Sequence, residues 1–341
     1  MAGAGYRTFA SGEVLTANNV QTYLMDQAVQ VYSGTAARAS AVPSPSTGMV
    51  AYATATGLQV FNGSTWVSVG GATYASISGG ASTALGTSIG GTSYNVHTFT
   101  SDANLVVTTA GLAQVLLIGG GGGGGGASDG AAAGGGGGGG VQGISSITTI
   151  YLAAGTVAID VGAGGAGGVQ NINGNQGSVG LESKIGTLIS VAGGGYGSAR
   201  DMFGGDGASG GGTRNASFAA GKTVQAACGN NGALGAGQTA GGGGGGAGSA
   251  GVAASSSTVG GAGGNGIEIN TFVGGVSYFA GAGGGGGAST TAGGAGSGGV
   301  AGKTSGAGNN GVNYGAAGGG SYNNVAGGAG AAGAVFVRVT A

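Results

Sequence analysis

Proline is absent after Pro45, although 296 residues follow it. Cysteine is nearly absent too. Cys228 stands alone, so no internal disulfide and no cysteine-rich zinc site can form; it reads as a small buried residue. His97 is the only histidine, with no cysteine pair or carboxylate cluster near it in sequence. A metal site or a histidine-based catalytic unit is therefore not expected, and His97 reads as a strand-surface residue. Charge is scarce: eight Lys and Arg against nine Asp and Glu give a formal net charge of −1. Nucleic acid is not an expected partner, because so few basic residues, offset by as many acids, do not favour neutralising its phosphates. The apolar run Val115–Ile118 is far too short to span a bilayer. No basic stretch followed by an apolar run opens the chain, so no secretory signal is expected and synthesis is placed in the cytoplasm.

What is present in excess is glycine. Of 95 glycines, 80 lie from Gly119 onward. Such a stretch cannot build a conventional side-chain interior, so any order must come from the backbone.

Composition divides the chain into three. Residues 1–70 read as ordinary protein: a helix opening at Thr16 with Val20, Leu24, Ala28 and Val31 at helical spacing, then a β-meander. The meander comprises Gly48–Tyr52, Leu58–Phe61 and Thr65–Val69, with Asn62-Gly63 as a turn. This unit has little apolar mass and is expected to oligomerise or dock. Residues 71–93, rich in Ser, Gly and Thr, read as a linker. Residues 94–341 interleave strand candidates with glycine runs. The strands are 94–100, 104–108, 114–118, 147–152, 156–161, 186–191, 276–279 and 334–339; the runs are 119–126, 134–140, 241–246 and 283–287. The last strand must return to close a sheet, which argues against a free tail.

Glycine runs without proline or a strict Gly-X-Y repeat are not collagen. The ordered alternative is polyglycine II, with three residues per turn and no internal hydrogen bonds, so its N–H and C=O groups radiate toward neighbouring helices. Ordering a residue costs about 1–2 kcal/mol. An inter-helix hydrogen bond returns about 0.5–1.5 kcal/mol, and Cα–H···O contacts add about 0.5–1 kcal/mol. Order therefore requires nearly complete pairing. At ~3.1 Å per residue the first two runs span about 25 and 22 Å, matched to a slab of even thickness. On this reading Gly122→Val disrupts the slab, whereas Gly207→Ser, taken as a loop change, does not. The expected fold is mainly β: a small helix and meander, then an antiparallel β-sandwich carrying an inserted polyglycine II bundle.

Motifs for chemistry are weak. G-x-G-x-x-G recurs through composition alone, with no amphipathic helix behind it. Gly221-Lys222-Thr223 and Gly302-Lys303-Thr304 resemble phosphate-loop endings, but the earlier glycine is Ala216 in one and Ser297 in the other. Asp201 and Asp206 are a candidate carboxylate pair without an acid/base partner. No cofactor, metal or enzymatic activity is expected. The side chains between runs are the candidates for recognition: Tyr196, Arg200, Asp201, Met202 and Phe203, then Arg214 and Phe218, then Tyr314 and Tyr322. Tyrosine and arginine make good binding anchors. Phe272, Tyr278 and Phe279 read as packing.

The stretch Phe9–Met25 resembles the N-terminal module of tailed-phage structural proteins. Gly48–Tyr52 followed by Phe61-Asn62-Gly63-Ser64-Thr65-Trp66 is similar to the short β-repeat that accompanies it. From His97–Thr100 through Tyr151–Gly168 to Gly333–Val339, the chain resembles glycine-rich phage tail proteins. The resemblance implies a virion tail fibre or tail-tip protein with a β-sandwich of the tumour-necrosis-factor-like kind. It also implies attachment of the N-terminal module to other tail proteins, a homotrimer, and a host-surface glycan or outer-membrane protein as target. The alternative is a purely structural baseplate, collar or capsid-decorating component in which the glycine slab is a spacer.

Overall fold

The structure, a computed structural model, describes residues 10–14, 16–17, 29–54, 56–69, 73–170, 175–275 and 278–341. Its contacts divide the chain into two units, residues 1–73 and 74–341.

In the first unit, β1 (Gln30–Tyr32) pairs in parallel with β2 (Val50–Ala53), and β3 (Gly57–Phe61) and β4 (Trp66–Ser68) extend the sheet antiparallel. The β2–β3–β4 meander follows the expected pattern. Most of the expected helix, residues 18–28, lies outside the described residues. Its last turn does not form: Val31 is in β1 because Gln30, Val31 and Tyr32 pair with Ala51, Tyr52 and Ala53. A short helix, α1 (Thr35–Ala41), instead follows the strand. Arg38 on α1 is buried, donates to Gln59 Oε1 and lies 4.4 Å over the Trp66 ring.

The second unit begins with residues read as linker. They form β5 (Ser76–Ser78) and β6 (Ser82–Ile89), one on the edge of each of two sheets. Gly79 and Gly80 make the crossing at φ +115° and +102°, where a Cβ would stand 2.6 and 2.7 Å from the carbonyl oxygens of Asn104 and Thr98. Side chains of this segment are small and mostly exposed, so its composition resembles a loop although its backbone is paired.

Five further strands follow, with the first two glycine runs, 119–126 and 134–140, falling between the third and the fourth. They are β7 (Thr92–Phe99), β8 (Ala103–Thr109), β9 (Gly111–Ile118), β11 (Thr148–Leu152) and β12 (Gly155–Asp160), with the two-residue β10 (Val141–Gln142) between β9 and β11. The expected strand at 186–191 is two short strands around a turn, β13 (Ser183–Ile185) and β14 (Ile189–Val191), with Gly186 at φ +50°. β15 (Ile267–Glu268) pairs with β16 (Phe279–Ala280) around α2 (Asn270–Val273). Of the strand expected at 276–279, residues 276 and 277 lie outside the described residues. The final strand, β17 (Ala334–Thr340), inserts antiparallel between β7 and β9.

One sheet runs β10-β9-β17-β7-β6 with β11 also on β9, and the other runs β14-β13-β12-β8-β5. Both contribute to one core, where Phe99, Val115, Leu117, Val335 and Val337 meet Leu105, Val107, Ile159, Ile185 and Val191. The opposite face of the first sheet is covered as well: Leu116, Ile118 and Phe336 pack against Ile269 and Phe272. That explains why the second half of β9, Val115–Ile118, is continuously apolar rather than alternating, since both of its faces are buried. His97 corrects its surface reading. It is a buried residue of β7, opposite Thr83 of β6, with Nδ1 donating to the Gly79 carbonyl at 2.9 Å. Cys228 is also buried in the shared core, and burial pushes its thiol pKa up. Thiol reagents at neutral pH should leave Cys228 unmodified in the folded chain and modify it once denaturant is added, as mass spectrometry would read.

The glycine runs continue directly from these strands. From Gly119 to Ala127, every third N–H points to the same neighbour. Gly119, Gly122 and Gly125 donate to Gly140, Gly137 and Gly134; Gly120, Gly123 and Gly126 donate to Leu181, Ser178 and Asn175. Gly121, Gly124 and Ala127 donate to Ala331, Gly328 and Val325. The carbonyls leave in three further directions: Gly121 and Gly124 accept from Gly165 and Gly168, Gly120 and Gly123 from Gly194 and Gly197, and Gly122 from Gly318. One segment thus has six neighbours, and each bond is 2.8–3.0 Å long. Gly134–Gly140 repeats the arrangement, donating to segments 192–198, 242–245 and 315–321. Glycine is required by proximity. A Cβ on Gly122 would stand 2.0 Å from the Gly195 oxygen, and one on Gly123 1.9 Å from the Ala166 oxygen. None of these run glycines uses a positive φ.

Candidate functional site

β9 delivers the chain into Gly119 and β17 collects it after Gly333, so one end of the slab is rooted in the sheets. Ser183 seals that root: it is buried, donates to the Ile118 carbonyl at 2.7 Å and accepts from the Gly162 N–H at 2.9 Å. Residues paired with Gly125–Ala127, namely Gly134, Asn175 and Val325, mark the opposite end.

Successive segments turn there, and the turns are stitched together. Asn323 and Asn324 donate to the carbonyls of Ala131 and Ser128, and Ala132 donates to Gln238. Ser289 donates to Thr239, and Thr290 and Thr291 donate to Thr258. The loops are short and carry mostly Ser, Thr, Asn and Gln, with the exposed Asp129 in the first: Ser128, Gln238, Thr239, Ser256, Ser257, Thr258, Thr290, Asn323 and Asn324. Asn323 and Asn324 adopt φ of 64° and 56°, left-handed turns that asparagine tolerates.

One corner of this end differs in chemistry. Loop 199–203 and loop 214–219 are joined at both roots, by the Arg214 N–H to Ser198 Oγ at 2.9 Å and by the Gly204 N–H to the Ala219 carbonyl at 3.1 Å. Above the roots, Phe203 and Phe218 meet edge to face with centroids 5.6 Å apart. Phe203 is 61% exposed and Met202 43%. Arg200 and Asp201 are exposed and form an ion pair at 3.6 Å, with Asp201 at φ 49°. An exposed pair of this kind contributes little to stability.

The expected contact residues therefore separate. Arg200, Asp201, Met202, Phe203 and Phe218 share this corner. Tyr196 is the lattice residue that leads into it, its ring packed over Gly205 and its carbonyl accepting from the Gly205 N–H at 2.8 Å. Tyr322 is half-buried beside Ala132 at the same end of the slab. Tyr314 is not at this end. It packs against Tyr278 and Phe336, at 5.4 and 5.8 Å between centroids, over the outer face of the first sheet. Arg214 is buried rather than exposed. Nε and Nη2 donate to the carbonyl and Oε1 of Gln238 at 3.3 and 2.9 Å, while Nη1 has no partner. Burial lowers its pKa from the ordinary guanidinium value; Asp201 opposes the shift and Arg200 adds to it. Gln238 escaped the sequence reading because a lone amide among Ser, Thr and Gly carries no motif.

A model of the glycine-rich domain family matches residues 97–340. The chain belongs to this family. No curated protein matches the chain significantly. The glycine-rich domain thus starts within β7 and takes in the whole slab and its return strand.

Other sequence motifs dissolve into the glycine-rich domain. The N–H groups of Gly221 and Gly302 donate to Gly211 and Gly293, so neither Gly-Lys-Thr triplet is a free phosphate loop. Asp206 Oδ1 accepts from the Lys222 N–H at 2.6 Å, so Asp201 and Asp206 have separate partners. Among the described residues, no group of three or more His, Cys, Asp or Glu side chains gathers in a metal-holding cluster. A groove of about 500 Å³ beside the β11–β12 and β13–β14 turns is lined by Tyr151, Val157, Thr187 and Leu188, without a charged side chain.

Proposed function

We propose that this chain is a non-catalytic adsorption protein of a tailed-phage particle, located in the tail as a fibre or tail-tip component. On this reading the first unit attaches to other tail proteins as a homotrimer, and the glycine-rich domain presents loops to a host-surface glycan or outer-membrane protein. The three-residue hydrogen-bond repeat, with six neighbours per segment, supports a polyglycine II bundle. The core shared by two sheets supports a sandwich beneath it, of the tumour-necrosis-factor-like kind that the resemblance implies. A single observation carries the functional reading: the turns farthest from the sheets are knit together, and the corner among them that holds Arg200, Asp201 and Phe203 is exposed. Three copies would add weak contacts by avidity.

Particles whose copy of this protein lacks residues 74–341 should assemble but not adsorb. Normal adsorption by such particles would overturn the reading. The burial of Arg214 and the packing of Tyr314 favour a second reading, a purely structural spacer in a baseplate, collar or capsid decoration. Replacing loop 199–203 separates the two: altered host range supports recognition, and unchanged host range supports the spacer.

A further inference from the structure

Arg214 is 3% exposed, and one of the two donor edges of its guanidinium is spent on Gln238. The other nitrogen, Nη1, is buried without a partner. Leaving a charged donor unpaired in the interior is costly, so an unpaired one calls for a reason. No packing need explains it, because a guanidinium is an awkward way to fill space that alanine or serine fills elsewhere in this slab. Its place at the foot of two loops is informative. Loop 199–203 carries a second guanidinium, Arg200, and an exposed aromatic, Phe203, that meets Phe218 of the other loop. Among the described residues, the carboxylate that acts on Arg214 is that of Asp201, and Asp201 is already opposite Arg200. Two guanidinium groups against one carboxylate leave the corner with a surplus positive charge.

We propose that this corner is a subsite for an acidic sugar, with Arg214 and Arg200 taking its carboxylate or phosphate and Phe203 and Phe218 lying against its ring. This deepens, and rests on, the recognition reading above. Guanidinium suits the task because it offers parallel N–H bonds to either anion. The aromatic pair offers an apolar platform beside a charge, which a ring with one hydrophobic face requires. Because Nη1 is buried, the anion reaches it only through a local movement, for which residues 200–202 are the exposed segment of the corner. Across this segment the Arg200–Asp201 pair is weak, and Met202 and Phe203 face solvent. Asp201 then has two roles: it holds Arg200 in the free protein and repels acids that cannot displace it.

The test uses the full chain and three probes: glucuronate, glucose 6-phosphate and glucose. Saturation-transfer NMR and titration should show one or both acids binding with Kd on the order of 1 mM, and glucose at least about tenfold more weakly. Arg200→Gln and Phe203→Ala should each weaken the acid about tenfold while leaving the melting temperature unchanged. Because Arg214→Gln also removes contacts to Gln238, the decisive readout for Arg214 is the guanidinium 15Nη signal of the unaltered chain, which should shift and sharpen when the acid is added. The preferred acid identifies the anion as carboxylate or phosphate. No binding by either acid at about 50 mM, equal binding of glucose, or a resident water on Nη1 that the acids do not displace would each overturn the subsite. If the particles adsorb but neither acid competes, the subsite falls and the recognition reading stands. If particles lacking residues 74–341 adsorb normally, the recognition reading itself falls.

Discussion

Gly122→Val should abolish the cooperative melting of the glycine-rich domain or lower its stability by about 4 kcal/mol or more. Gly122 lies in the middle of the first segment, where its N–H meets Gly137 and its carbonyl meets Gly318. The first added carbon would overlap the Gly195 oxygen at 2.0 Å and its carbon at 2.7 Å, with the Gly194 oxygen at 2.9 Å. These are backbone atoms, each held by its own hydrogen bonds, so no rotamer change relieves the clash. Overpacking that moves one segment also breaks bonds to its other neighbours. Gly207 is not the neutral control that its sequence surroundings suggested. Its N–H donates to Lys222, and a Cβ there would stand 2.2 Å from the Gly195 nitrogen. Gly294 is the proper control: φ is not positive, and an added Cβ would find only the Ala262 methyl, at 4.0 Å. Gly294→Ala should melt as the unaltered chain does, within about 0.5 kcal/mol. Calorimetry of both variants checks the pair, and equal melting curves would exclude backbone contact as the source of stability.

The second large effect is expected at Arg338, on β17. Its guanidinium lies 4.1 Å from the Phe272 ring centroid and 4.3 Å from that of Tyr94. Nε donates to Gln114 at 2.8 Å, and Nη1 donates to the carbonyls of Thr271 and Phe272 at 3.3 and 2.7 Å. Arg338 thus fastens α2 to the returning strand. Arg338→Ala removes a desolvated cation–π contact of about 2 kcal/mol and leaves the half-buried Gln114 amide and the helix carbonyls without their donor, for about 1–3 kcal/mol more. A total loss near 3–5 kcal/mol is expected in denaturant titration. Arg338→Lys should recover only part of it, because an ammonium cannot stack on two rings and fork to Gln114 together. Full recovery by lysine would show that charge alone suffices.

The strands were legible where one face is buried and the other is not. β8 and β12 alternate, whereas β9 and β17 carry apolar residues on both faces because each is covered on both, with Gln114 and Arg338 paired to each other between them. The uninterrupted runs were legible as lattice segments, since only glycine fits there. Their partners were not. Segments such as 192–198 and 325–333 contain Ala, Ser, Tyr and Val, and read as loops. With three residues per turn, a segment on the outside of the slab turns one residue in three toward solvent, and side chains are accepted at that position. Ala163, Ala166 and Val169 are exposed at this spacing, while Gly162, Gly165 and Gly168 are buried. β5 and β6 were missed because an edge strand with little to bury can consist of Ser, Thr and Gly. At the candidate site, the exposed corner was legible as charged and aromatic residues between runs. The burial of Arg214 was not, since it depends on Gln238, 24 residues away.

The six-neighbour lattice also bears on how stability varies with temperature. Unfolding an ordinary core hydrates apolar side chains, which raises the heat capacity and bends the stability curve, whereas hydrating peptide groups lowers it. In the slab, the surface that unfolding would wet is mostly N–H and C=O. The glycine-rich domain should therefore have a small heat-capacity change for its length and a flat stability curve, holding its shape in the cold as well as the warm.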